Sequence, residues 1–201
     1  ARAGIPVGAT LMPIIPIVGD DTYQLLDTIR AIADHGGQWV LASGMTMAGV
    51  QADRTLQAAL QIDPTVEARF RHFFNWEPGC EPSYGPPPRY NSELGYLVRE
   101  LCARVGLADR IPRHVEPGPL AVNKRIGERL FLRTYDLELE RAGRQQIWDY
   151  RKAAWAVDEL DRPVDEIVEE GGVDGLCALE GVRAGIAGEI LGWLGEFEAT
   201  P

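Results

Sequence analysis

A short glycine-containing turn near the carboxyl end of the chain has the residue types of a phosphate-binding site. Gly181 and Gly185 enclose Val182 and Arg183, and apolar residues follow at helical spacing. A glycine turn that leads into a helix leaves backbone N–H groups unpaired, with the positive end of the helix dipole behind them. The guanidinium of Arg183 adds a cation suited to phosphate oxygens. The residues predicted to contact the phosphates of a nucleic-acid backbone are Gly181, Val182, Arg183 and Gly185.

A second set of residues, in the middle of the chain, combines basic and aromatic side chains. Arg69 and Arg71 precede Trp76, and a proline-rich stretch follows from residue 78 to 88. Bases stack on aromatic rings and arginines bind phosphates, so these three residues are a candidate nucleic-acid surface. In the alternative, the rings pack beneath a proline-rich loop and the arginines are only solvated.

The cysteines and histidines have no metal-binding or catalytic spacing. Cys80, Cys102 and Cys177 are widely separated and odd in number, which is typical of reduced thiols in a cytoplasmic protein. His114 is a lone histidine without a serine or cysteine at a spacing that indicates a triad. We therefore predict no metal site and no catalytic residue in this chain, and a cytoplasmic location.

The glycine turn is expected to join two short helices within a four-helix unit. Apolar residues at helical spacing predict a helix over Ile147–Leu160, and Asp161 is the predicted N-cap of the next helix, Pro163–Glu170. In Val173–Leu194 two apolar-periodic helices enclose the turn. The alternative is that these apolar residues pack a helical pair that binds nothing.

This unit resembles the amino-terminal helical domain of family X DNA polymerases, through the run YRKAA at 150–154 and the hairpin after it, from Arg144 to the end. The helix-hairpin-helix family usually has a second turn glycine where this chain has Arg183. In the polymerases with lyase activity, a lysine of the second hairpin helix forms a Schiff base. Here that position is Glu189, and another lysine of that helix matches Gly185. A carboxylate cannot form an imine, so the resemblance implies DNA contact without lyase chemistry.

The charge of this unit opposes strong DNA binding. From Arg144 to Pro201 the chain has five basic and thirteen acidic residues, which gives −8 of the net charge of −10 for the whole chain. Nonspecific affinity for nucleic acid comes mostly from lysines and arginines that release phosphate counterions. We therefore expect weak, backbone-directed binding, and a protein-docking or structural role is the alternative.

The amino-terminal part has the order of a parallel α/β sheet. Ile5–Ile17 is a predicted buried strand with a proline-rich exit, Thr22–His35 an amphipathic helix ended by glycines, and Gln38–Ser43 a second strand. A parallel sheet is normally buried on both faces and needs neighbouring strands. Because the chain begins at Ala1 without a methionine, we expect it to be a fragment that enters in mid-domain.

Two stretches here, AGIPVGATLMPIIPIVGDD at 3–21 and WVLASGMTM at 39–47, resemble the carboxyl-terminal third of radical S-adenosylmethionine (radical SAM) proteins related to spore photoproduct lyase. The resemblance covers residues 1–106 and implies the remnant of a partial (β/α) barrel. It also implies a 4Fe-4S cluster, held by a CxxxCxxC loop, and S-adenosylmethionine. This chain lacks the loop, so both cofactors are expected of a longer parent and none of this chain. Ligands of such sheets lie beyond the carboxyl ends of the strands, which places Pro13, Ile14 and Ile15 near S-adenosylmethionine. In the alternative, the prolines only shape the strand exit.

The middle of the chain is predicted to be helical with a loop insert. The helices are expected over Gln51–Leu60, Thr65–Phe74, Ser92–Gly106 and Leu120–Glu140. Ser92 is the predicted cap of the third of them, Gly106 its end, and Gly143 the end of the fourth.

The composition, 45% hydrophobic and 25% charged, is that of ordinary globular domains, and no stretch is long and apolar enough for a membrane span. We therefore predict an α/β plus all-α chain: a barrel remnant at 1–106, a helical linker at 107–143 and a helix-hairpin-helix domain at 144–201. The predicted function is that of part of a radical SAM iron–sulfur enzyme in DNA repair or modification, with the last domain on the DNA backbone. The alternative is a non-catalytic protein-interaction or scaffold module.

Overall fold

The computed structural model describes residues 3–199, except the side chains of residues 198 and 199, and it divides into two compact units. The first unit comprises residues 1–112 and the second unit residues 113–201. The described chain is mixed α/β and mostly helical, with eight helices and a two-stranded parallel sheet. None of the described helices combines the length and the apolar character needed to cross a membrane.

The first unit contains both strands and the first four helices. Its elements are β1 (Ala9–Ile14), α1 (Thr22–Asp34), β2 (Val40–Gly44), α2 (Val50–Ile62), α3 (Glu67–Phe73) and α4 (Pro88–Val105). The two strands pair in parallel, which confirms the predicted strand, helix and strand order. Asp21 caps α1, because its carboxylate accepts hydrogen bonds of 3.0 Å from the backbone N–H groups of Tyr23 and Gln24.

The two faces of this sheet differ. Leu11 and Ala42, which pair across the strands, pack against a core formed with α1 and α4. On the other face Thr10 and Ser43 are exposed, and Leu41, which pairs with Thr10, is half-buried. The helices therefore cover one face of the sheet and leave residues of the other face in contact with solvent. The buried members of the core are Ile14, Leu25, Leu26, Ile29, Val40, Leu94, Val98, Leu101 and Cys102.

The outer edge of β2 makes a short additional pairing. The backbone N–H of Val40 donates to the carbonyl of Ala108 at 2.8 Å, and the N–H of Ala108 donates to the carbonyl of Gln38 at 3.0 Å. Ala108, in the segment that follows α4, thus extends the parallel pattern beyond the two strands.

The helix predicted to start at Ser92 starts earlier, at Pro88. Proline suits the first turn of a helix because its φ is already helical and it lacks an N–H that would need a partner. The hydroxyl of Ser92 therefore donates to the carbonyl of Pro88 at 3.2 Å and caps nothing. Gly106 ends the helix in the left-handed conformation, with φ 76°, as predicted.

The second unit is a bundle of α5 (Ala121–Leu139), α6 (Arg144–Asp158), α7 (Val164–Cys177) and α8 (Ala184–Ala199). Gly172 breaks the helical geometry of α7 with φ 55°, so two helical segments precede the turn, as the sequence indicates. One core unites the four helices; its buried members are Ile126, Leu130, Leu137, Tyr150, Ala153, Ala154, Val157, Val164, Ile167, Leu176, Val182, Ile186, Ala187, Ile190 and Leu194.

Two predicted helix ends in this unit are wrong. Gly143 does not close α5: Glu140 is its C-cap, and Gly143 is the N-cap of α6. Asp161 does not cap α7, because Pro163 occupies that position and the cap comes from another helix. The buried amide of Asn123 in α5 accepts a hydrogen bond of 2.7 Å from the N–H of Val164.

Candidate nucleic-acid interface

The turn between α7 and α8 is pressed against α6 at Gly181. This residue has φ 77°, and a Cβ placed there would lie 2.6 Å from Cβ of Lys152 and 2.8 Å from the carbonyl oxygen of Asp149. Both the backbone conformation and the space therefore require glycine. The next residue, Val182, is buried in the core of the bundle. Gly181 and Val182 thus fix the position of the turn.

The start of α8 is open by comparison. Gly185 is exposed, and a Cβ placed there would meet no atom within 4 Å. The helix begins at Ala184, and the N–H of Ala187 bonds to the carbonyl of Arg183 at 2.8 Å. The three N–H groups before that bond are the orphan donors of a helix start, and the lack of a side chain at Gly185 lets an anion approach them.

Arg183 is exposed but not free. Its Nε lies 2.8 Å from Oδ2 of Asp149 on α6. The hydrogen bond from Arg183, followed by one from Gln145, lowers the pKa of the Asp149 carboxyl from its usual value. The Arg183 side chain is 71% exposed, whereas that of Asp149 is only 14% exposed, so only the arginine side of the pair is open to solvent. Since a guanidinium has five donors, the bond through Nε leaves its terminal amino groups for a phosphate.

Three other basic residues of this region also form ion pairs with carboxylates. Lys152 lies 2.7 Å from Glu180, Arg162 lies 2.8 Å from Glu170, and Arg151 pairs with Glu138. With Arg183, four of the five basic residues after position 143 form ion pairs. A cation in an ion pair contributes less to phosphate binding, because its bond to the carboxylate must break before it can bind a phosphate. Any phosphate contact therefore depends mainly on the backbone amides at the start of α8.

Glu189, at the position that matches a Schiff-base lysine, has a structural role. The hydroxyl of Tyr150 donates to its Oε1 at 2.6 Å and joins α6 to α8. Burial, reinforced by the neighbouring Glu189 carboxylate, raises the pKa of Tyr150 to about 12. This pair joins residues 39 positions apart and was not predicted from the sequence. The sequence indicates only that Glu189 lies between the apolar residues Ile186 and Ile190 of this helix.

The structure brings together two of the three residues in the predicted basic and aromatic set. The guanidinium carbon of Arg71 lies 4.5 Å from the ring centroid of Trp76, and its Nε lies 2.9 Å from Glu67. Trp76 is half-buried against the core of α2 and α3, while Arg69 is exposed. One face of the indole is thus covered by an arginine that is itself paired.

The predicted S-adenosylmethionine-proximal residues are placed in different surroundings. Pro13 is exposed, Ile14 is buried beneath α1, and Ile15 packs against the core of α2 and α3. These three residues do not line one open surface.

The cysteines do not fit an iron–sulfur cluster. Cys102 is buried, and burial raises the pKa of its thiol to about 11, whereas Cys80 and Cys177 are exposed and belong to different units. Within residues 3–199, no group of three or more His, Cys, Asp or Glu side chains is arranged to hold a metal ion. A cluster bound by thiolates therefore has no ligand set in the described part of this chain.

Comparisons of the chain with models of known families, with curated proteins and with solved structures found no match. The functional interpretation consequently depends on the residues of the site. Among these, the turn at 181–185 combines a fixed backbone, an open approach and an exposed guanidinium.

Proposed function

We propose that this chain is part of a radical SAM iron–sulfur enzyme of DNA repair or modification, and that its second unit contacts DNA. The contact is made by backbone amides at the start of α8 and by Arg183. The geometry of the turn supports the DNA contact, because Gly181 is packed tightly against α6 while the position of Gly185 is open to solvent. A fixed row of donors suits the phosphate backbone, which is the same in every sequence.

The first unit supports the barrel part of the proposal. In a (β/α) barrel the helices cover the outside of the strands, and the other face of each strand points to the interior. Here α1 and α4 cover the face that contains Leu11 and Ala42, whereas Thr10 and Ser43 on the other face are exposed and Leu41 between them is half-buried. This partly exposed face corresponds to the side of a barrel that would face its interior.

The 4Fe-4S cluster and S-adenosylmethionine belong, in this proposal, to the longer protein. The described residues offer no ligand set for the cluster, so no chemical step is assigned to this chain. Its proposed role is to complete the barrel wall and to hold the enzyme against DNA.

DNA binding by this chain tests the proposal through two matched pairs of variants. Fluorescence anisotropy with a labelled DNA duplex gives the affinity at several salt concentrations. Gly185→Leu obstructs the approach to the amides, and Gly188→Leu adds the same side chain one turn further along α8, where a Cβ also meets nothing within 4 Å. Arg183→Glu and Arg162→Glu make the same charge change at two solvent-accessible arginines, each of which is paired with a carboxylate.

We expect weak binding at low salt that decreases steeply with salt. Gly185→Leu and Arg183→Glu should abolish it or weaken it about tenfold or more, the cost of a lost charge-assisted contact. The two control variants should stay within about threefold of the original chain, since exposed charges act weakly at a distance. No binding at low salt, or equal losses in test and control variants, would overturn the assignment of the turn.

A further inference from the structure

Two tryptophans on one side of α6 remain exposed although they contact each other. Trp148 and Trp155 are 42% and 43% exposed, and their ring centroids lie 5.7 Å apart in an edge-to-face arrangement. Phe131 of α5 supports Trp155 from the side, with 6.5 Å between the ring centroids. Large aromatic side chains are enriched at protein interfaces, where they add contact area at low entropic cost.

Trp155 also forms a wall of an open cavity of about 350 Å³ in the second unit. Two residues of its lining, Lys152 and Glu180, form an ion pair with 2.7 Å between Nζ and Oε1, so their charges cancel. Glu159 is exposed at the end of α6 and makes no ion pair with the described residues. The cavity therefore keeps one net negative charge beside an indole ring. Its complete lining is Lys152, Trp155, Ala156, Glu159 and Glu180.

We propose that this cavity receives an arginine or lysine side chain from a basic segment of a partner protein. The ring quadrupole of Trp155 attracts a cation, and Glu159 supplies the opposing charge. Arginine fits better than lysine, because its planar guanidinium stacks on an aromatic ring and is less strongly hydrated.

The charge of the surrounding chain favours the same occupant. Residues 144–201 have thirteen acidic and five basic side chains, so their field attracts a basic protein and repels a nucleic acid. The cavity lies beside the turn but uses different groups, since the phosphate contact depends on the start of α8. Binding of a basic segment and binding of DNA can therefore be tested separately.

Side-chain NMR of the whole chain, with ¹⁵N-labelled tryptophan, tests the proposal directly. Trp155→Phe assigns the indole signal. The probe is the peptide acetyl-Arg-Gly-Arg-amide, and its matched control contains citrulline in place of arginine, which keeps the shape and removes the charge. Glu159→Gln removes the proposed counter-charge, and Glu169→Gln makes the same change at an exposed site on α7.

We expect a saturable shift of the Trp155 indole signal with the arginine peptide and a much smaller one with the citrulline peptide. Glu159→Gln should weaken binding about threefold, as an exposed ion pair predicts, and Glu169→Gln should not change it. The proposal is overturned if both peptides act alike or if Glu159→Gln has no effect. A larger response to the oligonucleotide pdT4 than to the arginine peptide would also overturn it and would indicate a nucleic-acid site.

Discussion

The two units bury their apolar residues in different ways. The second unit has one core of fifteen buried residues to which all four helices contribute, and the turn at Gly181 is part of its packing. The first unit has two smaller cores of nine and eight buried residues, and one face of its sheet is partly exposed, at Thr10 and Ser43. Parallel sheets occur almost only with both faces covered. The second unit therefore contains the contacts that stabilise it, whereas the first unit presents a surface suited to further packing.

Replacement of Gly181 by alanine should cause the largest loss of stability, and the loss should be confined to the second unit. The added Cβ would enter the space of the α6 backbone, and the residue would have to keep φ 77°. We expect a loss of about 3 kcal/mol or more in the stability of the second unit, from steric overlap together with left-handed strain. Hydrogen exchange followed by mass spectrometry measures this loss separately in each unit.

Gly185→Ala is the matched control, because its Cβ meets no atom within 4 Å. It should leave α8 unchanged or stabilise it by up to about 1 kcal/mol, since alanine favours helix more than glycine does. If hydrogen exchange in α6 and α8 were the same in Gly181→Ala and Gly185→Ala, the turn would not pack tightly against α6. If it loosened α1 and α4 as much as α6 and α8, the two units would not be stabilised separately.

An intermediate effect is expected from Tyr150→Phe, which removes the bond between α6 and α8. The partly buried Glu189 carboxylate would lose its donor, and we expect a cost of about 1–2 kcal/mol near pH 8. The pKa of Tyr150 is raised from 10.0 to about 12 in the folded chain, so the folded state holds the phenolic proton more tightly. The stability that the Tyr150–Glu189 hydrogen bond contributes is fully present below pH 10, and it is lost as the pH rises from 10 to 12.

The stability difference between the original chain and Tyr150→Phe should therefore shrink when the pH is raised from 8 to 11. Urea unfolding at both values measures it. Tyr23→Phe serves as control, because Tyr23 is 79% exposed, and it should change stability by less than about 0.5 kcal/mol at pH 8. A difference that is constant with pH would contradict a raised pKa for Tyr150.

Local signals in the sequence predicted the elements well and some of their ends poorly. Gly106 and Gly181 were placed correctly, because a helix stop and a tight turn depend mainly on the conformation of the residue itself. Asp161 was a reasonable cap by its position, yet Asn123 caps α7 from 41 residues away. Such a contact exists only once α5 packs against α7.

At the candidate interface, too, local features were predictable from the sequence and contacts between distant residues were not. The turn and the exposed position of Arg183 were predictable from the hairpin pattern, since they follow from residues adjacent in sequence. The ion pair with Asp149 was not, because it joins residues 34 positions apart. Spacing alone also gave no indication that the ring of Trp76 would be covered by Arg71.

The smallest effect is expected on the exposed face of the sheet. Thr10 and Leu11 are neighbours in β1 that point to opposite faces, and only Leu11 packs against the core of α1 and α4. Thr10→Lys should change stability by less than about 0.5 kcal/mol, as a surface substitution does, and Leu11→Lys by about 2 kcal/mol or more. Hydrogen exchange in α1 and α4 compares the two variants. A large loss with Thr10→Lys would mean that the exposed face is covered in this chain, and the contrast between the units would then disappear. A small loss would leave that face free to form the inner surface of the proposed barrel.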